Sequence, residues 1–507
     1  MKLNNQIIYQ IYPKSFKDTN GDGIGDLPGI ISQLDTLSHL GIDYLWLSPI
    51  MRSPQRDNGY DIADYYHIDP MFGSDEDYFR LIQEANKRGI KIMMDLVLNH
   101  VSTEHEWFKR ACEGDPYYQD FFIWRKRPNE LKSLFGGSAW EYVPQLDMYY
   151  FHNFDVHQAD LNYANEHVRQ EIYRMINYWI KQGVEGFRLD VIDLIGKDVD
   201  TGELSCTPKF YEYLQELHEN TFQNHYLTVG ECWEATPQQA MKICNGKGLT
   251  QVFHFNHLTL THHGSKWNQK KLELHKLASI LETWQNEYQG IEAIVMNNHD
   301  LPRLLSLWLD DQKYRKESAM LLAMLFGMLR GNLYIYQGEE YGMTSAHFTR
   351  IDQYRDIETI NYYHEQLKQG VCESDILEVL AKISRDNGRV PMQFMNTLGH
   401  GFTSTTPWIS FIQGGEDIYP DQTDCQVIYQ MYQKIIQYRK DFEQELEHPI
   451  HFHVQDDILS FTRGTYHGVF NFSDHVYPLP EVGEVIFHNY LDTAKYLRAY
   501  EAYIYQK

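Results

Sequence analysis

Four acidic residues stand in or directly after apolar, strand-like segments, where their carboxyl groups could act on one substrate. They are Asp95, Asp190, Glu231 and Asp300. Burying a carboxylate among apolar residues is costly unless the group is paired or serves catalysis. A single acid at the end of a strand more often caps a helix or faces solvent, but four that converge favour a shared site. Paired carboxyl groups suit glycosyl transfer, because one attacks the anomeric carbon while the other protonates the departing oxygen.

The residues around two of these acids predict different tasks for them. Arg188 lies two residues before Asp190, so both side chains point to the same face of a strand. A guanidinium in that position favours the ionised carboxylate that a nucleophile needs. Glu231 lies between Val229 and Trp233, an apolar setting in which a carboxyl group holds its proton more tightly.

Alternating strand-like and helical segments predict the framework that holds these residues. Eight strand-like segments are separated, in most cases, by helical patterns, and they cover residues 6–16, 42–50, 91–100, 184–192, 226–233, 251–257, 293–298 and 332–337. Eight β/α units favour a closed parallel barrel over an open doubly wound sheet, and the carboxyl ends of its strands form one face. We therefore expect an α/β fold, a (β/α)8 TIM barrel, with the acids on its active face.

Two departures from this alternation predict additional domains. Roughly eighty residues follow His100 before the next strand-like segment, far more than an ordinary crossover uses, and they are rich in Trp, Tyr and Pro. After about residue 438 the apolar runs become short and alternating. We expect a barrel from 1–100 and 172–438, a subdomain inserted after the third strand at 101–171, and a C-terminal antiparallel β domain at 439–507.

Three helices have clear signals in the sequence. Pro28 suits the first turn of a helix, and Gly41 suits its end. Ser74 is a good cap for a helix over about residues 75–88. The apolar stretch 319–329 is eleven residues long, short of the ~18 that a membrane span needs, and predicts a buried helix.

The composition argues against several classes of partner. The chain has 45 basic and 70 acidic residues, a net charge of −25, whereas proteins that bind nucleic acid or anionic membranes need a basic face. Hydrophobic residues make up 43% and aromatic residues 14%, enough for a large core and for stacking on sugar rings. The opening MKLNNQIIYQ lacks the apolar core of a signal peptide, and the six cysteines contain no C-x-x-C pair. We expect a soluble, cytoplasmic monomer that acts on a small molecule.

Five short segments resemble, in order, the signature regions of the α-amylase family of glycoside hydrolases (family 13). They are DLVLNH (95–100), QADLN (158–162), GFRLDVI (186–192), GECW (230–233) and NNHD (297–300). QADLN is similar to a region of the oligo-1,6-glucosidase group, and the resemblance extends over nearly the whole chain. It implies a (β/α)8 barrel with a subdomain inserted after the third strand and a β-sandwich behind, in agreement with the patterns above.

The resemblance also implies individual roles. Asp190 matches the nucleophile, Glu231 the acid/base and Asp300 the transition-state stabiliser. Asp61, in DNGYD, and Arg389, in RDNGR, resemble the pair that grips the non-reducing end in exo-acting members. The other residues implied around the first sugar are His100, Arg188, His299 and, as a stacking platform, Tyr60.

The glycosidic linkage is indicated by fewer residues. In the family, Val directly after the nucleophile accompanies α-1,6 cleavage and Thr accompanies α-1,4 cleavage, and here the residue is Val191. Trp233 and Lys266 resemble residues on the leaving-group side of dextran glucosidases, whereas segment 347–361 resembles trehalose-6-phosphate hydrolases at least as well. We expect a retaining exo-α-glucosidase of terminal α-1,6 bonds in isomalto-oligosaccharides. Trehalose-6-phosphate hydrolysis and transglycosylation or isomerisation stay open, as does a non-catalytic carbohydrate-binding relative, whose mark would be loss of the carboxylates.

A loop near the N-terminus has the oxygen-rich spacing of a calcium site. Its side-chain oxygens belong to Asp18, Asn20, Asp22 and Asp26. Gly23 permits a sharp turn, but Gly stands at position 29, where an EF-hand has a bidentate Glu. The same spacing is compatible with an Asx/Gly turn that binds no metal. The resemblance to oligo-1,6-glucosidases implies a structural Ca²⁺ here, with Ile24 contributing its carbonyl.

Overall fold

A barrel of eight parallel strands forms the centre of the computed structural model, which describes residues 3–413, 417–492 and 494–507. In chain order the strands are β1 (Ile7–Ile11), β2 (Tyr44–Leu47), β3 (Lys91–Val97), β4 (Gly186–Asp190), β5 (Leu227–Glu231), β6 (Gln251–Phe253), β7 (Ala293–Val295) and β8 (Asn332–Tyr336). Neighbours pair in the order β6-β5-β4-β3-β2-β1-β8-β7. The predicted (β/α)8 fold is therefore confirmed, and each of the eight expected segments contains one strand.

A side chain joins the two edge strands of this sheet. The amide nitrogen of Gln251 in β6 donates to the carbonyl of Glu292, which precedes β7, at 3.1 Å. Its amide oxygen accepts from the Tyr334 hydroxyl of β8 at 2.9 Å. Gln251 is fully buried, so these bonds satisfy both polar atoms of its own side-chain amide.

The third strand is shorter than its apolar pattern suggested. Strand β3 ends at Val97, and the chain turns before a separate short strand, His100–Ser102, pairs antiparallel with Gln158–Asp160. The prediction of one strand over 91–100 was wrong at its end, because apolar residues continue into the turn and are buried there too. This turn carries the chain from the barrel into the inserted segment and leaves His100 beside the strand ends.

Helices cover the outside of the barrel. Those longer than ten residues are Asp75–Asn86, Glu166–Lys181, Pro208–Asn220, Leu274–Glu287, Arg315–Gly327, Ile357–Lys368, Glu373–Ile383 and Thr423–Asp441. The shorter ones are Leu27–Ile31, Leu34–Leu40, Glu106–Cys112, Pro116–Gln119, Pro237–Ile243, Leu304–Trp308, Asp386–Arg389 and Glu443–Leu446.

Two of the three helix predictions are confirmed and one needs correction. Ser74 caps helix Asp75–Asn86 with a full capping box. Helix Arg315–Gly327 is buried along most of its length, as predicted. The segment from Pro28 to Gly41 forms two short helices instead of one, because the first ends at Ile31 and the next begins at Leu34. In the described part of the chain, no helix is both long and apolar enough to cross a membrane.

The inserted and C-terminal segments form sheets of their own. The insertion has three antiparallel strands, Trp124–Arg125, Trp140–Val143 and Met148–Phe151. The C-terminal sheet contains Ile450–Gln455, Ile458–Arg463, Tyr466–Asn471, Glu484–His488 and Ala502–Gln506, all antiparallel, so that part of the prediction is confirmed as well. The exact domain limits stay predictions, and helices Glu166–Lys181 and Thr423–Asp441 run through two of them.

Candidate active site

One buried guanidinium holds three carboxylates at the carboxyl ends of the strands. Nη1 of Arg188 lies 2.7 Å from Oδ1 of Asp190 and 2.9 Å from Oδ1 of Asp95. Nη2 lies 2.8 Å from Oε2 of Glu231. Strands β3, β4 and β5 are adjacent, so their parallel pairing brings these side chains to one face. The sequence-based expectation that Asp95, Asp190 and Glu231 meet is fulfilled.

Aromatic donors fix the orientation of the acid that lies farthest inside. Oδ2 of Asp95 accepts hydrogen bonds from the Tyr60 hydroxyl at 3.0 Å and from the Trp46 indole at 3.1 Å. The Tyr60 ring stacks in parallel on His299, with ring centres 5.0 Å apart. These contacts hold the Asp95 carboxylate in place with packed aromatic side chains.

The fourth acid, Asp300, lies in a separate cluster with one histidine and two arginines. Its Oδ2 is 3.0 Å from Nε2 of His299, and its Oδ1 is 3.1 Å from Arg389 and 3.2 Å from Arg385. Gln10 lies 2.9 Å from Nδ1 of His299, which leaves the other ring nitrogen facing Asp300. Burial alone would raise the pKa of Asp300, but His299, Arg385 and Arg389 together lower it well below its usual range. Asp300 is therefore ionised.

Asp190 and Glu231 titrate as a pair. Burial raises the pKa of Glu231 to about 7, although Arg188 lowers it. Burial also raises the pKa of Asp190 well above its usual range, against the expectation that Arg188 alone would keep it ionised, because Glu231 and Asp95 add negative charge beside it. One cation facing three carboxylates favours the state in which the pair retains a proton. Within the described part of the chain, Oε1 of Glu231 is buried without a hydrogen-bond partner, so this oxygen is free to carry it.

The residue after Asp190 has an unusual backbone. Val191 adopts φ 35° and ψ 43°, a left-handed conformation that costs a β-branched residue energy. Its N–H donates to Oε2 of Glu231 at 3.2 Å, and its side chain is 8% exposed. Strain of this kind is found mostly where function requires it. It turns the chain sharply at the end of β4, beside Glu231.

The amino-acid sequence of the chain matches that of a family of known proteins. A family model described as "Alpha amylase, catalytic domain" matches residues 10–448. The chain belongs to the α-amylase family. The glucan 1,6-α-glucosidase of Streptococcus pneumoniae is 47% identical over 450 residues, which cover 86% of this chain and 84% of the relative. The trehalose-6-phosphate hydrolase of Bacillus subtilis is 45% identical over 463 residues, which cover 86% and 82%. The crystal structure of Bacillus licheniformis trehalose-6-phosphate hydrolase is similar with a TM-score of 0.91 at 38% identity, covering 99% of each chain.

Membership of the α-amylase family makes the protein a glycoside hydrolase. The segments that carried the resemblance in sequence also meet in space. His100 lies at the site, with Nε2 3.0 Å from the Tyr60 carbonyl and 3.2 Å from the amide of Gln158 in QADLN. Burial lowers the pKa of His100 to about 4, so its ring is neutral.

Asp61 and Arg389, which the resemblance implies at the non-reducing end of the substrate, bind different partners in the structure. Asp61 is fully buried, and its oxygens accept hydrogen bonds from the Ser53 hydroxyl and from the backbone N–H groups of residues 56 and 57. Its carboxylate therefore closes a turn, whereas Arg389 binds Asp300. The ion pair at this edge of the site joins Asp57 to Nη2 of Arg385 at 3.2 Å.

A second residue of each of these two motifs also lies at this edge of the site. DNGYD begins and ends with an Asp, RDNGR begins and ends with an Arg, and the first member of each motif forms this ion pair. Asp57 and Arg385 are the residues that were missed. Phe135 of the inserted segment was missed too, and its ring covers the Arg385 guanidinium at 4.9 Å.

Two residues expected on the leaving-group side lie outside the carboxylate cluster. Trp233, two residues after Glu231, packs edge-on against Phe255 with ring centres 4.7 Å apart. Lys266 forms an ion pair with Glu358, whose carboxylate also lies 3.6 Å from Nε of Arg385. Glu358 was not predicted, and it connects Lys266 to the Asp300 cluster.

The oxygen-rich loop near the N-terminus is tied together by its own hydrogen bonds. Asp18 accepts from the backbone of Gly21 and Gly23 at 2.7 and 2.9 Å, and Asp26 accepts from Thr19 and Gly29 at 2.7 and 2.6 Å. Among the residues described, no three His, Cys, Asp or Glu side chains are grouped to hold a metal ion. A calcium site here would draw in addition on the Asn20 amide and the Ile24 carbonyl, an all-oxygen donor set that suits Ca²⁺.

Proposed function

We propose that the protein is a retaining exo-α-glucosidase that removes terminal glucose from short α-1,6-linked oligosaccharides. The observation that carries this proposal is the sharing of Arg188 by Asp190 and Glu231, with one Glu231 oxygen left free. Two carboxyl groups on one guanidinium lie close together, and retaining enzymes need a separation of about 5–5.5 Å, whereas inverting enzymes need room for a water molecule between acid and sugar.

The reaction proceeds by double displacement. Asp190 attacks the anomeric carbon while Glu231 gives its proton to the departing oxygen, which leaves a β-glucosyl enzyme and a shortened saccharide. Glu231, now ionised, takes a proton from water, and the resulting attack on the anomeric carbon releases α-glucose and restores Asp190. Ionised Asp300 stabilises the positive charge that develops on the sugar ring in both transition states.

The ion pair of Asp57 and Arg385 supports exo action. Arg385 connects the loop that carries Asp57 to Asp300, and all three side chains are buried or nearly so. Phe135 covers the guanidinium from the inserted segment. A site closed at this end by these contacts would accept one terminal sugar, as exo action requires.

The nearest alternative, trehalose-6-phosphate hydrolysis, requires free cations for the phosphate. Segment 347–361, which suggested that alternative, has three cationic side chains, and each has a partner. His347 lies 2.9 Å from Asp311, Arg350 lies 2.6 Å from Asp352, and Arg355 donates to main-chain carbonyls. Lys266 is paired with Glu358. These pairings favour a neutral saccharide, as do Val191 and the similarity to a glucan 1,6-α-glucosidase.

A substrate panel tests the proposal. The protein is incubated with isomaltose, panose, maltose, trehalose and trehalose 6-phosphate, and the released glucose is quantified. We expect isomaltose and panose to be cleaved fastest. Faster release from trehalose 6-phosphate would establish the alternative, and binding of isomaltose without any turnover would indicate the non-catalytic relative.

Three further parts of the proposal concern a bound ion, the cellular location and the oligomeric state. Ca²⁺ is proposed as a structural ion at the loop of Asp18, Asn20, Asp22, Ile24 and Asp26. A cytoplasmic location is supported by the six cysteines, all of which are free thiols in the structure. A monomer is proposed as the working form, and the mass of the protein in solution tests it.

A further inference from the structure

The buried carboxylate of Asp356, which has no role in the mechanism above, forms ion pairs with two arginines of the site. Oδ1 of Asp356 lies 2.6 Å from Nη2 of Arg385 and 3.5 Å from Nη1 of Arg389. Each arginine extends its other terminal nitrogen to Oδ1 of Asp300, at 3.2 and 3.1 Å. Asp356 and Asp300 therefore face each other across the same two guanidinium groups.

The second oxygen of Asp356 is anchored to a helix. Oδ2 accepts from the backbone N–H and the hydroxyl of Thr359 at 2.9 and 2.6 Å, because Asp356 is the N-cap of helix Ile357–Lys368. The N–H of Asp356 donates to Asp386 at 2.9 Å. A side chain fixed in this way, with no exposed surface, holds the two arginines at one position relative to the barrel.

The charges that face this cluster come from several elements. The cations are Arg385, Arg389 and, beyond Glu358, Lys266; the anions are Asp57, Asp300, Asp356, Asp386 and Glu358. Burial alone would raise the pKa of Asp356, but Arg385 and Arg389 lower it below its usual range, so the group is ionised. Without that charge, both arginines would bind Asp300 more strongly and would add net positive charge beside the reacting sugar.

We propose that Asp356 is a positioning residue of the reaction, which fixes Arg385 and Arg389 and so leaves the Asp300 carboxylate directed at the sugar. It does not itself touch the substrate. The inference rests on the proposed glycosidase function, because it assigns Asp356 to the support of a positively charged transition state.

The test compares the unaltered protein with Asp356→Asn. Asn remains a good helix cap, so this change removes the charge and retains the cap. We expect kcat on isomaltose to fall about 10- to 100-fold while KM changes less than about threefold, as for loss of an interaction made mainly in the transition state. Asp352→Asn is the matched control, because Asp352 is an exposed acid of the same segment, with 64% of its side chain accessible. Its kinetics should equal those of the unaltered protein.

Inhibitor binding separates a positioning role from a merely structural one. Calorimetry measures the Kd of glucose, which is neutral, and of 1-deoxynojirimycin, a glucose analogue with a charged ring nitrogen. Asp356→Asn should weaken binding of the cation about 10-fold more than binding of glucose, since one negative charge is lost near it. In an Asp300→Asn background the same change should have little further effect, because the two acids act through the same arginines.

The possible outcomes are distinct. If the unaltered protein releases no glucose from isomaltose or panose, the proposed function fails. If it is active, and Asp356→Asn has normal kcat and normal preference for the cationic inhibitor, the inference is overturned. Equal losses in both backgrounds would also overturn it, because Asp356 would then act without Asp300. Should Asp356→Asn not fold, Asp356→Glu decides: it keeps the charge but displaces the carboxylate, so kcat should fall about 10-fold, and an unchanged kcat would contradict positioning.

Discussion

Val191 is the residue through which the choice of linkage is best tested. Thr has the same branched shape, so Val191→Thr keeps the left-handed backbone beside Glu231 and adds one hydroxyl directly after the nucleophile in sequence. We expect the rate on maltose to rise relative to the rate on isomaltose, with no large change in melting temperature. The ratio of the two kcat/KM values is the measurement. An unchanged ratio would mean that Val191 does not select the linkage.

The titration of Glu231 predicts how activity depends on pH. Glu231 must be protonated to act as an acid, and its pKa is raised to about 7 by burial, so activity is present below that pH and is lost as the pH rises through it. Asp190 must be ionised, and burial raises its pKa as well, so activity also declines on the acid side. A profile of kcat/KM on isomaltose should therefore be bell-shaped.

Replacing Glu231 should abolish the decline of activity on the alkaline side of that pH profile. Glu231→Ala should still consume α-glucosyl fluoride slowly, because fluoride leaves without a proton and Asp190 attacks unaided. Its rate should no longer fall near pH 7. A variant that keeps the alkaline decline would show that another group supplies the proton. Asp190→Ala should be inactive on both substrates while remaining folded.

At the residue level, sequence reasoning found the acids because each sits at the end of an apolar strand, a pattern that burial and pleat dictate. It did not find Asp57, Arg385 or Asp356, since these lie in irregular or capping positions where no periodicity marks a side chain as facing inward. The sequence also contains no sign that the Asp61 carboxylate accepts hydrogen bonds from the backbone of a turn. Which polar groups a turn uses for its own backbone is decided by geometry that spacing does not contain.

Among the structural elements, helix Arg315–Gly327 shows how the C-terminal part supports the barrel. Its last carbonyls are buried and need donors. Arg439 supplies them, with bonds of 2.6 Å to the carbonyls of Gly327, Leu329 and Gly331. Arg463, from the C-terminal sheet, donates to the Met328 carbonyl at 2.6 Å. These two buried arginines connect the helix after β7 to the elements that follow the barrel.

Replacing one of these donors should lower stability without altering the chemistry. Arg439→Met keeps much of the volume but leaves buried carbonyls unpaired, which should cost about 1.5–3 kcal/mol in the free energy of unfolding. Urea unfolding measures it. Arg350→Met is the control, because that side chain is 69% exposed. A loss in Arg439→Met no larger than in the control would contradict the capping role.

The oxygen-rich loop predicts an effect of chelators. If Ca²⁺ binds there, it stabilises the folded state by RT ln(1 + [L]/Kd), about 2.7 kcal/mol at a hundredfold excess over Kd. Excess chelator should then lower the melting temperature, and added Ca²⁺ should restore it. Asp22→Ala, which removes one exposed oxygen donor, should remove the response. An unchanged melting curve together with no metal by elemental analysis would refute a calcium site.

Strand and helix positions were largely predictable, and their lengths were not. All eight barrel strands were found because apolar runs buried on both faces are a strong signal, yet every strand is shorter than the segment predicted to contain it. The apolar residues beyond each end are buried by loops, which sequence reasoning cannot distinguish from the strand itself. The break between Ile31 and Leu34 was missed for a similar reason, since the apolar residues on both sides pack on the same core.

On the scale of the whole molecule, the site is a product of barrel topology. Its charged residues come from seven separate stretches of the chain, and only the shared face of the barrel brings them together. They are Asp57, Asp95, Arg188, Asp190, Glu231, Asp300, Asp356, Arg385 and Arg389. The fold class could therefore be predicted from local patterns, whereas the second layer of ion pairs could not, because it depends on how the loops beyond the eighth strand fold back over the barrel.

The most direct test of the proposed mechanism follows the anomer of the first glucose released. Proton NMR of a fresh reaction with panose, whose leaving group is maltose, distinguishes α-glucose from β-glucose before the two interconvert. Double displacement through Asp190 requires two inversions, so we expect α-glucose to appear first and the β anomer to accumulate only at the slower rate of mutarotation. Initial release of β-glucose would mean that water attacks directly and that Asp190 is not a nucleophile.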